Sequence, residues 1–343
     1  MWSIIPYSVQ ALSTGTAGNQ GVNIHLDGRC ILCGDRSLEP IDQIHWMDLR
    51  RLYRQQFSID IAQIAPQLDR DAVLVSYRCQ ACGVEFDSPC VEGDAGFYEQ
   101  LCRTGHYVFS NAKWEFDQAI RDIGDGQRVM DVGCAEGAFL AQLCRLRRGI
   151  QPFGVEPCAR ARERCQERGL VVTGEPMGCV TVTYAEAFDV VCGFQVLEHV
   201  ASPATLLGQM VRCLRPGGRL LLSVPNMDGF IRCAVNDLLN LPPHHVSRWR
   251  PSTMEAIARR AGLRVLRLLC EPVADYHREW YRQTMIIQGL AKLFRRSLAR
   301  AEPGASYVWM RRCARVVDLV WPKTWWSYTR HHGHTFYVCL EKP

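Results

Sequence analysis

The chain has no apolar run that approaches the roughly eighteen residues of a membrane-spanning helix. Residues 1–6 contain neither a basic segment nor a long apolar one, so we do not expect a secretory signal peptide. These two absences predict a cytoplasmic protein. At 343 residues, of which 48% are hydrophobic, the chain can bury a full core and has room for one large domain with attached parts.

Disulfides are not expected, although the chain has 17 cysteines. In a large protein without a secretory signal, this number indicates a reducing compartment, where most cysteines serve as small buried hydrophobic residues. Four of them differ from the rest because they form two Cys-x-x-Cys-Gly knuckles, at residues 30–34 and 79–83. Each knuckle places two thiolates on a tight turn, which is half of a tetrahedral metal site.

Together the two knuckles predict a zinc ion held by the thiolates of Cys30, Cys33, Cys79 and Cys82. Closed four-cysteine coordination leaves no position for a substrate, so this zinc would hold the fold and not catalyse. The alternative is four free buried cysteines, which explains neither the repeated spacing nor the glycine after each knuckle. We therefore expect a zinc-binding module at residues 30–93, after a poorly specified arm at residues 1–29.

A strand, a glycine turn and a helix follow one another at residues 128–139. Val129 and Val132 predict a short buried strand that ends at Gly133, and Gly137 begins a helix with apolar residues at helical spacing. This is the first half of a nucleotide-binding βαβ unit, whose ligand lies beyond the carboxyl end of the strand. Strands and helices continue to alternate afterwards, which predicts a doubly wound, mostly parallel α/β sheet.

The details of this stretch argue against a dinucleotide. The dinucleotide fingerprint is G-x-G-x-x-G, whereas this chain has only Gly133 and Gly137. Asp131 lies within the strand, where its carboxylate would repel a pyrophosphate but would suit a cofactor that carries an ammonium group. Glu156 ends the next predicted strand, 23 residues after Gly133. Such folds place at about that point the carboxylate that binds the ribose hydroxyls.

Four segments in order resemble the motifs of class I S-adenosylmethionine-dependent methyltransferases. They are the D-V-G-C-A-E-G loop at 131–137, the acid Glu156, the L-E-H segment at 197–199 and the L-R-P-G-G turn at 214–218. The resemblance covers residues 126–273 and the last strand. It implies a seven-stranded Rossmann-like sheet, S-adenosylmethionine as the cofactor, and methyl transfer as the activity.

The resemblance also implies which residues bind the cofactor. They belong to the glycine loop and to the ends of the second and fourth strands: Asp131, Gly133, Cys134, Ala135, Gly137, Phe139, Glu156, Pro157, Phe194, Gln195, Val196 and His199. Helices at residues 94–125 would cover the cofactor as a lid, with Tyr98 and Tyr107 either facing its sulfonium or only packing on the sheet. The family usually has an acid for the adenine amino group, but residues 178–184 offer none, so the adenine contact is unassigned.

Methyl transfer to oxygen, nitrogen or carbon requires that the acceptor lose a proton, and histidines near the carboxyl ends of strands are candidates for the base. His199 follows the fourth strand. His244 and His245 follow two prolines in a rigid loop after the fifth strand. A lone histidine is more often structural, but two adjacent ones at a crevice edge favour catalysis. We predict that His244 or His245 is the base, with His199 as the competing candidate.

A four-cysteine zinc module ahead of a methyltransferase domain with a His-His loop resembles the zinc-carrying sugar and natural-product methyltransferases. This resemblance implies a small-molecule acceptor, namely a sugar, a polysaccharide precursor or another secondary metabolite, with a histidine general base. The carbon-methylating members carry a second α/β domain that this chain lacks, so the acceptor atom stays open.

Two other functions are alternatives. An RNA base methyltransferase would also place a zinc module first, but this module is not notably basic and no N-P-P-Y-like motif follows the fourth strand. Nucleic acid is therefore not expected as a partner. A catalytically silent binding module is the second alternative, against which the intact set of Asp131, Gly133, Gly137 and Glu156 argues. The sequence does not predict the oligomeric state.

An insertion at residues 274–333 delays the last strand to residues 334–343. Between residues 275 and 333, eleven Lys and Arg face four acids, a local charge of +7, so the rest of the +5 chain carries about −2. The insertion also holds five of the nine tryptophans. We expect amphipathic helices that wall the substrate pocket. A face that binds phosphate groups or a membrane surface is a second interpretation, and a plain solvated helix pair is a third.

Overall fold

The computed structural model describes residues 28–105, 113–322, 326, 328 and 332–343. Their strands, in chain order, are β1 (Leu38–His45), β2 (Val73–Cys79), β3 (Glu85–Ser88), β4 (Arg128–Val132), β5 (Gln151–Val155), β6 (Val172–Thr173), β7 (Phe188–Phe194), β8 (Leu214–Pro225), β9 (Ser247–Arg248), β10 (Arg264–Pro272) and β11 (His332–Glu341). Their α-helices are α1 (Trp46–Phe57), α2 (Ala95–Arg103), α3 (Trp114–Asp122), α4 (Ala138–Leu146), α5 (Ala159–Glu167), α6 (Met177–Thr183), α7 (Pro203–Cys213), α8 (Pro251–Ala261), α9 (Arg278–Leu293) and α10 (Ala305–Val320).

Seven strands form one sheet in the order β10-β11-β8-β7-β4-β5-β6. The strands from β6 to β8 in this order are parallel, and β11 is antiparallel to both of its neighbours. The doubly wound, mostly parallel, seven-stranded Rossmann-like sheet predicted from the sequence is confirmed. The strand order reverses between β4 and β7, and ligands of such sheets bind in the crevice at the carboxyl ends of the strands there.

The centre of this sheet is buried on both faces. Val129 of β4 packs with Phe139 and Leu140 of α4 on one face. The next residue, Met130, packs with Met210 of α7 on the other face. All five side chains are at most 1% exposed. A strand buried on both faces has apolar residues at successive positions, which is why Val129 and Met130 are both apolar although they face opposite sides of the sheet.

A second, four-stranded sheet has the order β1-β2-β3-β9. Its last strand comes from the loop after β8, where Ser247 and Arg248 pair with Phe86 and Glu85. The Arg248 guanidinium also donates to the buried carboxylate of Asp87 at 2.7 and 2.8 Å. The N-terminal sheet is thus completed by the loop that carries the predicted histidines, and the two parts share a polar core.

The insertion consists mainly of α9 and α10, which pack against each other. A buried ion pair between Arg282 of α9 and Asp318 of α10 joins them. The rings of Trp280 and Tyr281 on α9 contact Phe230, in the segment after β8, with centroids 4.8 and 5.6 Å apart. Among the described residues, no helix combines the length and the apolar character that crossing a membrane requires.

Candidate functional site

The site begins at the loop between β4 and α4. Gly133 and Gly137 have φ angles of 71° and 75°, in the left-handed region that glycine adopts without strain. Neither position has room for a side chain, since a Cβ would lie 2.7 Å from Val196 at the first and 2.5 Å from Leu170 at the second. The Gly133 N–H also donates to the Val155 carbonyl at 2.8 Å. The loop is therefore held against the carboxyl end of β5 and the residues that follow β7.

Glu156 directly follows β5, and its carboxylate is held beside the glycine loop. One oxygen accepts from the N–H of Ala135 and the other from the N–H of Cys158, both at 2.9 Å. Each carboxylate oxygen has a further lone pair, so the group can also accept from two neighbouring hydroxyls such as those of a ribose. Burial raises the pKa of Glu156, and the two backbone hydrogen bonds oppose that shift.

Asp131 supplies a second carboxylate, inside β4. It is 3% exposed, and burial raises its pKa to about 8, while the charge of Lys113 opposes the shift. An ammonium group bound nearby would stabilise the carboxylate form. S-adenosylmethionine requires one carboxylate that binds its ammonium group and another that accepts hydrogen bonds from its ribose hydroxyls. The residues present therefore fit this cofactor.

The residues after β7 form another side of the crevice. Gln195 has a φ of 57°, which is uncommon for a residue with a side chain and often marks a functional site. Its amide donates to Glu115 at 3.3 Å. Phe194 makes an edge contact with Phe139, with ring centroids 4.7 Å apart. Because Phe139 is 1% exposed, it shapes this wall from the core side.

Three histidines from two segments meet next to this crevice. His199 ends a 3₁₀ turn at Leu197–His199, and His244 and His245 lie in the loop after β8. The ring centroids are 4.6 Å apart for His199 and His244, 4.7 Å for His199 and His245, and 4.6 Å for His244 and His245. One ring nitrogen of each lies within 4.8 Å of one from each of the other two. We call these residues the histidine cluster.

Hydrogen bonds set the tautomers of two rings in the histidine cluster. Nδ1 of His199 lies 2.8 Å from the carbonyl oxygen of His244, and Nδ1 of His245 lies 3.2 Å from the amide oxygen of Asn240. Carbonyl oxygens only accept, so both Nδ1 atoms carry the proton and both Nε2 atoms keep a lone pair.

The histidine cluster is uncharged at physiological pH. Burial lowers the pKa of His199 to about 4, and burial also lowers the pKa of His244 and of His245 well below the usual value. The neighbouring histidines lower the last two further. The cluster therefore presents ring lone pairs that can accept hydrogen bonds or bind a cation.

Helix α2 lies over the histidine cluster. The hydroxyl of Tyr98 is 3.0 Å from Nδ1 of His199 and donates to the His244 carbonyl at 3.4 Å. Its ring makes an edge contact with the His199 ring, with centroids 5.9 Å apart. Tyr98 is therefore placed at the histidines, whereas the sequence predicted a lid helix over the cofactor, and that cofactor contact stays a prediction. Tyr107 lies outside the described residues.

Glu198, which is not among the site residues predicted from the sequence, lies at the histidine cluster. Its side chain is fully buried, and one carboxylate oxygen is 4.0 Å from Nε2 of His245. Burial raises its pKa to about 8, opposed by the charge of Lys113. The signal was present in the L-E-H segment, but the sequence alone does not tell which side chain of a short turn points inward. Asn240 was missed because its role depends on a tertiary contact.

The four predicted cysteines also form one cluster, here called the cysteine cluster. The sulfurs of Cys30 and Cys82 are 3.6 Å apart, those of Cys33 and Cys79 are 3.5 Å apart, and all four lie within 4.8 Å of one another. Sulfurs bound at about 2.3 Å to one tetrahedral zinc lie about 3.8 Å apart, so the spacing fits the metal. Amide N–H groups of Leu32 and Cys33 point at the Cys30 sulfur, at 3.4 and 3.5 Å.

The structure thus brings the predicted cofactor residues to one end of the sheet. Asp131, Gly133, Gly137 and Glu156 surround the loop after β4, and Val196 contacts it. Cys134 is buried against Cys165, and Pro157 lies at the exposed end of β5. The cofactor contacts of these residues stay predictions, since their arrangement and not a bound ligand supports them.

Comparisons with known proteins agree with this arrangement. Residues 98–268, just under half of the chain, match a family model described as a methyltransferase domain. A ubiquinone biosynthesis O-methyltransferase of Nitrosococcus oceani is 30% identical over 157 residues, which cover 42% of this chain and 66% of that protein. The protein of the same name from Pseudomonas savastanoi pv. phaseolicola is 33% identical over 157 residues, with 41% and 66% covered. The chain thus spans just under two thirds of these relatives.

Solved structures show a distant likeness. A SAM-dependent methyltransferase from Archaeoglobus fulgidus shares 16% identity, with 73% of this chain and 100% of that chain covered and a TM-score of 0.45. Coclaurine N-methyltransferase shares 14% identity, with 69% and 74% covered and a TM-score of 0.43. Likenesses this distant do not bear on the function. The match of residues 98–268 to the methyltransferase-domain model is the comparison on which the functional proposal draws.

Proposed function

We propose that the chain is an S-adenosylmethionine-dependent methyltransferase that methylates a hydroxyl group of a small molecule. The observation that carries the proposal is the meeting of two groups of residues at one end of the sheet. The glycine loop with Asp131 and Glu156 fits the cofactor, and Val196, which contacts this loop, lies three residues before His199. Relatives named as O-methyltransferases support oxygen as the acceptor atom.

The histidine cluster is the part of the proposed site that activates the acceptor. The bound cofactor supplies the electrophilic methyl carbon. The chain must hold the acceptor oxygen in line with that carbon and draw away its proton. Neutral imidazoles with free ring lone pairs would supply that capacity, and Tyr98 of α2 covers them. We retain His244 and His245 as the principal candidates and His199 as the competing one.

A phosphate-bearing acceptor, such as a sugar nucleotide, is the specific form of the proposal. A cavity of about 420 Å³ is lined by Arg78, Arg232 and Arg300, among other residues. A small adjoining cavity is lined by the last two arginines and by Asn240, the partner of His245. Arg78 and Arg300 are also ion-paired with Glu85, so Arg232 is the arginine of this set most available to a phosphate while the sugar hydroxyl reaches the histidine cluster. Arg300 belongs to the basic insertion, so this use would explain part of its charge.

The exposed face of α10 supports the second use that the sequence suggested for the insertion, contact with an anionic membrane surface. Val308, Trp309, Val316, Leu319 and Val320 are each at least 45% exposed. Arginines at 311, 312 and 315 share the exposed side, and the one acid of α10 is buried in the pair with Arg282. An exposed helix face with tryptophan and arginine suits the interface of an anionic bilayer. Co-sedimentation with vesicles with and without anionic lipid tests this use, and the L319S variant should bind less.

We further propose that the cysteine cluster holds one structural zinc ion. Four thiolates close the coordination, so the metal would stabilise the fold without touching the acceptor. Residues near the cluster pack into the main core, where Ile31, Leu32 and Val84 lie with Trp249 and Met254. Zinc at this point would therefore brace the β9 strand and the histidine loop that precedes it.

The test is incubation of the protein with cofactor labelled in the methyl group and a panel of acceptors. The panel contains sugar nucleotides, free sugars, phenolic and quinol compounds, peptides and RNA. Label transferred to the hydroxyl of a sugar nucleotide supports the proposal in full, and label on a phenol supports oxygen methylation with a different acceptor. Label on RNA would favour the nucleic-acid alternative, and cofactor binding without any transfer would favour a silent binding module.

A further inference from the structure

We infer that Glu198 and the histidine cluster form a second metal site, distinct from the cysteine cluster, that binds a divalent transition-metal ion. The role that we give this ion, activation of the acceptor hydroxyl, rests on the proposed function. The binding of the ion itself does not.

The three histidine rings are close enough together to share one metal ion. A ring nitrogen from each of His199, His244 and His245 lies within 4.8 Å of the other two, which is the same limit that the four cysteine sulfurs satisfy. A metal bonded to histidine nitrogens at about 2.0–2.1 Å needs those nitrogens about 3.4 Å apart in a tetrahedral arrangement. Small rotations of the three rings would achieve that separation, because the centroids are already 4.6–4.7 Å apart.

The tautomers of His199 and His245 also suit metal binding. Metal-binding histidines usually donate their other ring N–H to a carbonyl or carboxylate, which orients the lone pair toward the metal. His245 makes such a bond to Asn240 at 3.2 Å, and His199 makes one to the main-chain carbonyl of His244 at 2.8 Å. In both rings the remaining nitrogen, Nε2, is the one left with a lone pair. The hydrogen bonds of the cluster are therefore those of ligands oriented in advance.

The carboxylate of Glu198 is the fourth candidate ligand at the cluster. It is fully buried, 4.0 Å from Nε2 of His245, and neither oxygen accepts a hydrogen bond from another residue in the described part of the chain. A buried carboxylate without a partner is costly, because it loses its hydration and gains nothing in return. A divalent cation among the four groups would give the Glu198 oxygens a bonding partner.

Other charged groups near the cluster do not account for Glu198. Lys113 contributes a favourable charge, but it forms no hydrogen bond or ion pair with Glu198 among the described residues, and Glu115 contributes an unfavourable one. The positive charge of Arg248 lies close enough to interact with His245, but its guanidinium is already paired with the carboxylate of Asp87. Within the part of the chain that the structure describes, the cluster thus has one carboxyl group, three imidazoles and no cation in direct contact.

This ligand set suits catalysis more than structure. Three imidazoles and one carboxylate are a set for zinc, iron, cobalt or manganese, and five or six coordination leaves room for an oxygen of the acceptor. The ion would bind the acceptor hydroxyl and lower its pKa, so that the proton passes to water. The oxygen electron pair then forms the bond to the methyl carbon, while the carbon–sulfur bond breaks with its electrons going to sulfur.

Metal analysis of the purified full chain tests the inference without reference to activity. The parent, reconstituted with cobalt after chelation, should hold two ions per chain, one with the intense thiolate charge-transfer bands of the cysteine cluster and one without them. The H245Q and E198Q variants should each lose the second ion and keep the first. The control is H277Q, a half-buried histidine outside the cluster, which should keep both.

Every result of this experiment either supports or overturns the second metal site or its role. Loss of the second ion in H245Q or E198Q, in protein whose circular dichroism and thiolate bands match the parent, supports the site. A parent that binds only the thiolate-held ion, or variants that retain two, overturns it. Because E198Q preserves side-chain volume, it provides the result if H245Q does not fold. Methylation that persists with only the thiolate-held ion bound overturns the catalytic role of the second ion and leaves the proposed function intact. Two bound ions without methylation of any acceptor refute the function and not the site.

Discussion

The cysteine cluster and the histidine cluster differ in how the chain builds them. The cysteine cluster comes from two local turns in which each Cys-x-x-Cys pair sets its own geometry, and the two turns need only meet. The histidine cluster needs a turn after β7, a loop after β8 and a helix, α2, that covers them. The first can therefore be predicted from spacing, and the second depends on the sheet that brings its parts together. The comparison also indicates different purposes, since four thiolates close a coordination sphere and three imidazoles with a carboxylate leave it open.

The largest effect is expected from breaking the cysteine cluster. The C79S variant should lose the zinc ion, and its free energy of unfolding should fall by about 4 kcal/mol or more, as is typical when a structural metal is lost. Metal analysis and urea denaturation provide the measurement. The matched control is C102S, an exposed thiol, which should change stability by less than about 0.5 kcal/mol. Zinc-free parent protein with unchanged stability would refute the structural role.

Breaking the histidine cluster should affect turnover and leave cofactor binding intact. H244Q and H245Q should lower turnover by about 10²–10⁴-fold, the usual contribution of a group that assists proton removal. Calorimetry should give the same cofactor Kd for both variants as for the parent, because neither side chain belongs to the cofactor loop. The H277Q control should keep full turnover. If both variants keep turnover within about threefold of the parent while H199Q loses it, the essential lone pair belongs to His199.

The pH dependence of stability should distinguish Asp131, at the end of β4 beside the glycine loop, from the cysteine cluster and the histidine cluster. Burial raises the pKa of Asp131 from 3.8 in the unfolded chain to about 8 in the folded one, so the folded state binds this proton more tightly. Its contribution to stability is therefore present below pH 4 and is lost as the pH rises toward 8. The D131N variant lacks this dependence, so its unfolding free energy should exceed that of the cofactor-free parent by a margin that grows as the pH rises from 4 to 8.

Urea denaturation at several pH values measures that difference. Saturating cofactor should reduce it, because the bound ammonium stabilises the carboxylate form in the parent and not in the variant. Parallel pH profiles for the parent and D131N would show that Asp131 is ionised in both states of the chain.

The smallest effect concerns Glu156. The E156A variant should weaken cofactor binding by about 1.5–3 kcal/mol, since it removes the charged acceptor proposed for the ribose hydroxyls. Turnover at saturating cofactor should change far less than in the histidine variants. E163A, an exposed acid on α5, is the matched control and should bind as the parent does. Unchanged affinity in E156A would remove the ribose assignment.

Much of the fold was predictable because its signals are local. Val129 and Val132 followed by Gly133 define β4 and its turn, and the acid Glu156 marks the end of β5. The late position of the last strand was also visible in the sequence, and β11 lies there, between β8 and β10. The pairing of Ser247 and Arg248 with β3 was not predictable, because two residues are too short to show a strand pattern.

The sequence by itself determined the class of sheet, the glycine loop and the cysteine cluster. Each depends on residues at short fixed spacing, where chain geometry alone sets which side chains meet. Only the tertiary structure decided that Glu198, Asn240 and Tyr98 converge on the histidine cluster. These residues come from segments up to 142 positions apart, from 98 to 240, and their contact depends on strand order and on the path of the loop after β8. No local pattern records that path, because it is set by which faces of the sheet the helices cover.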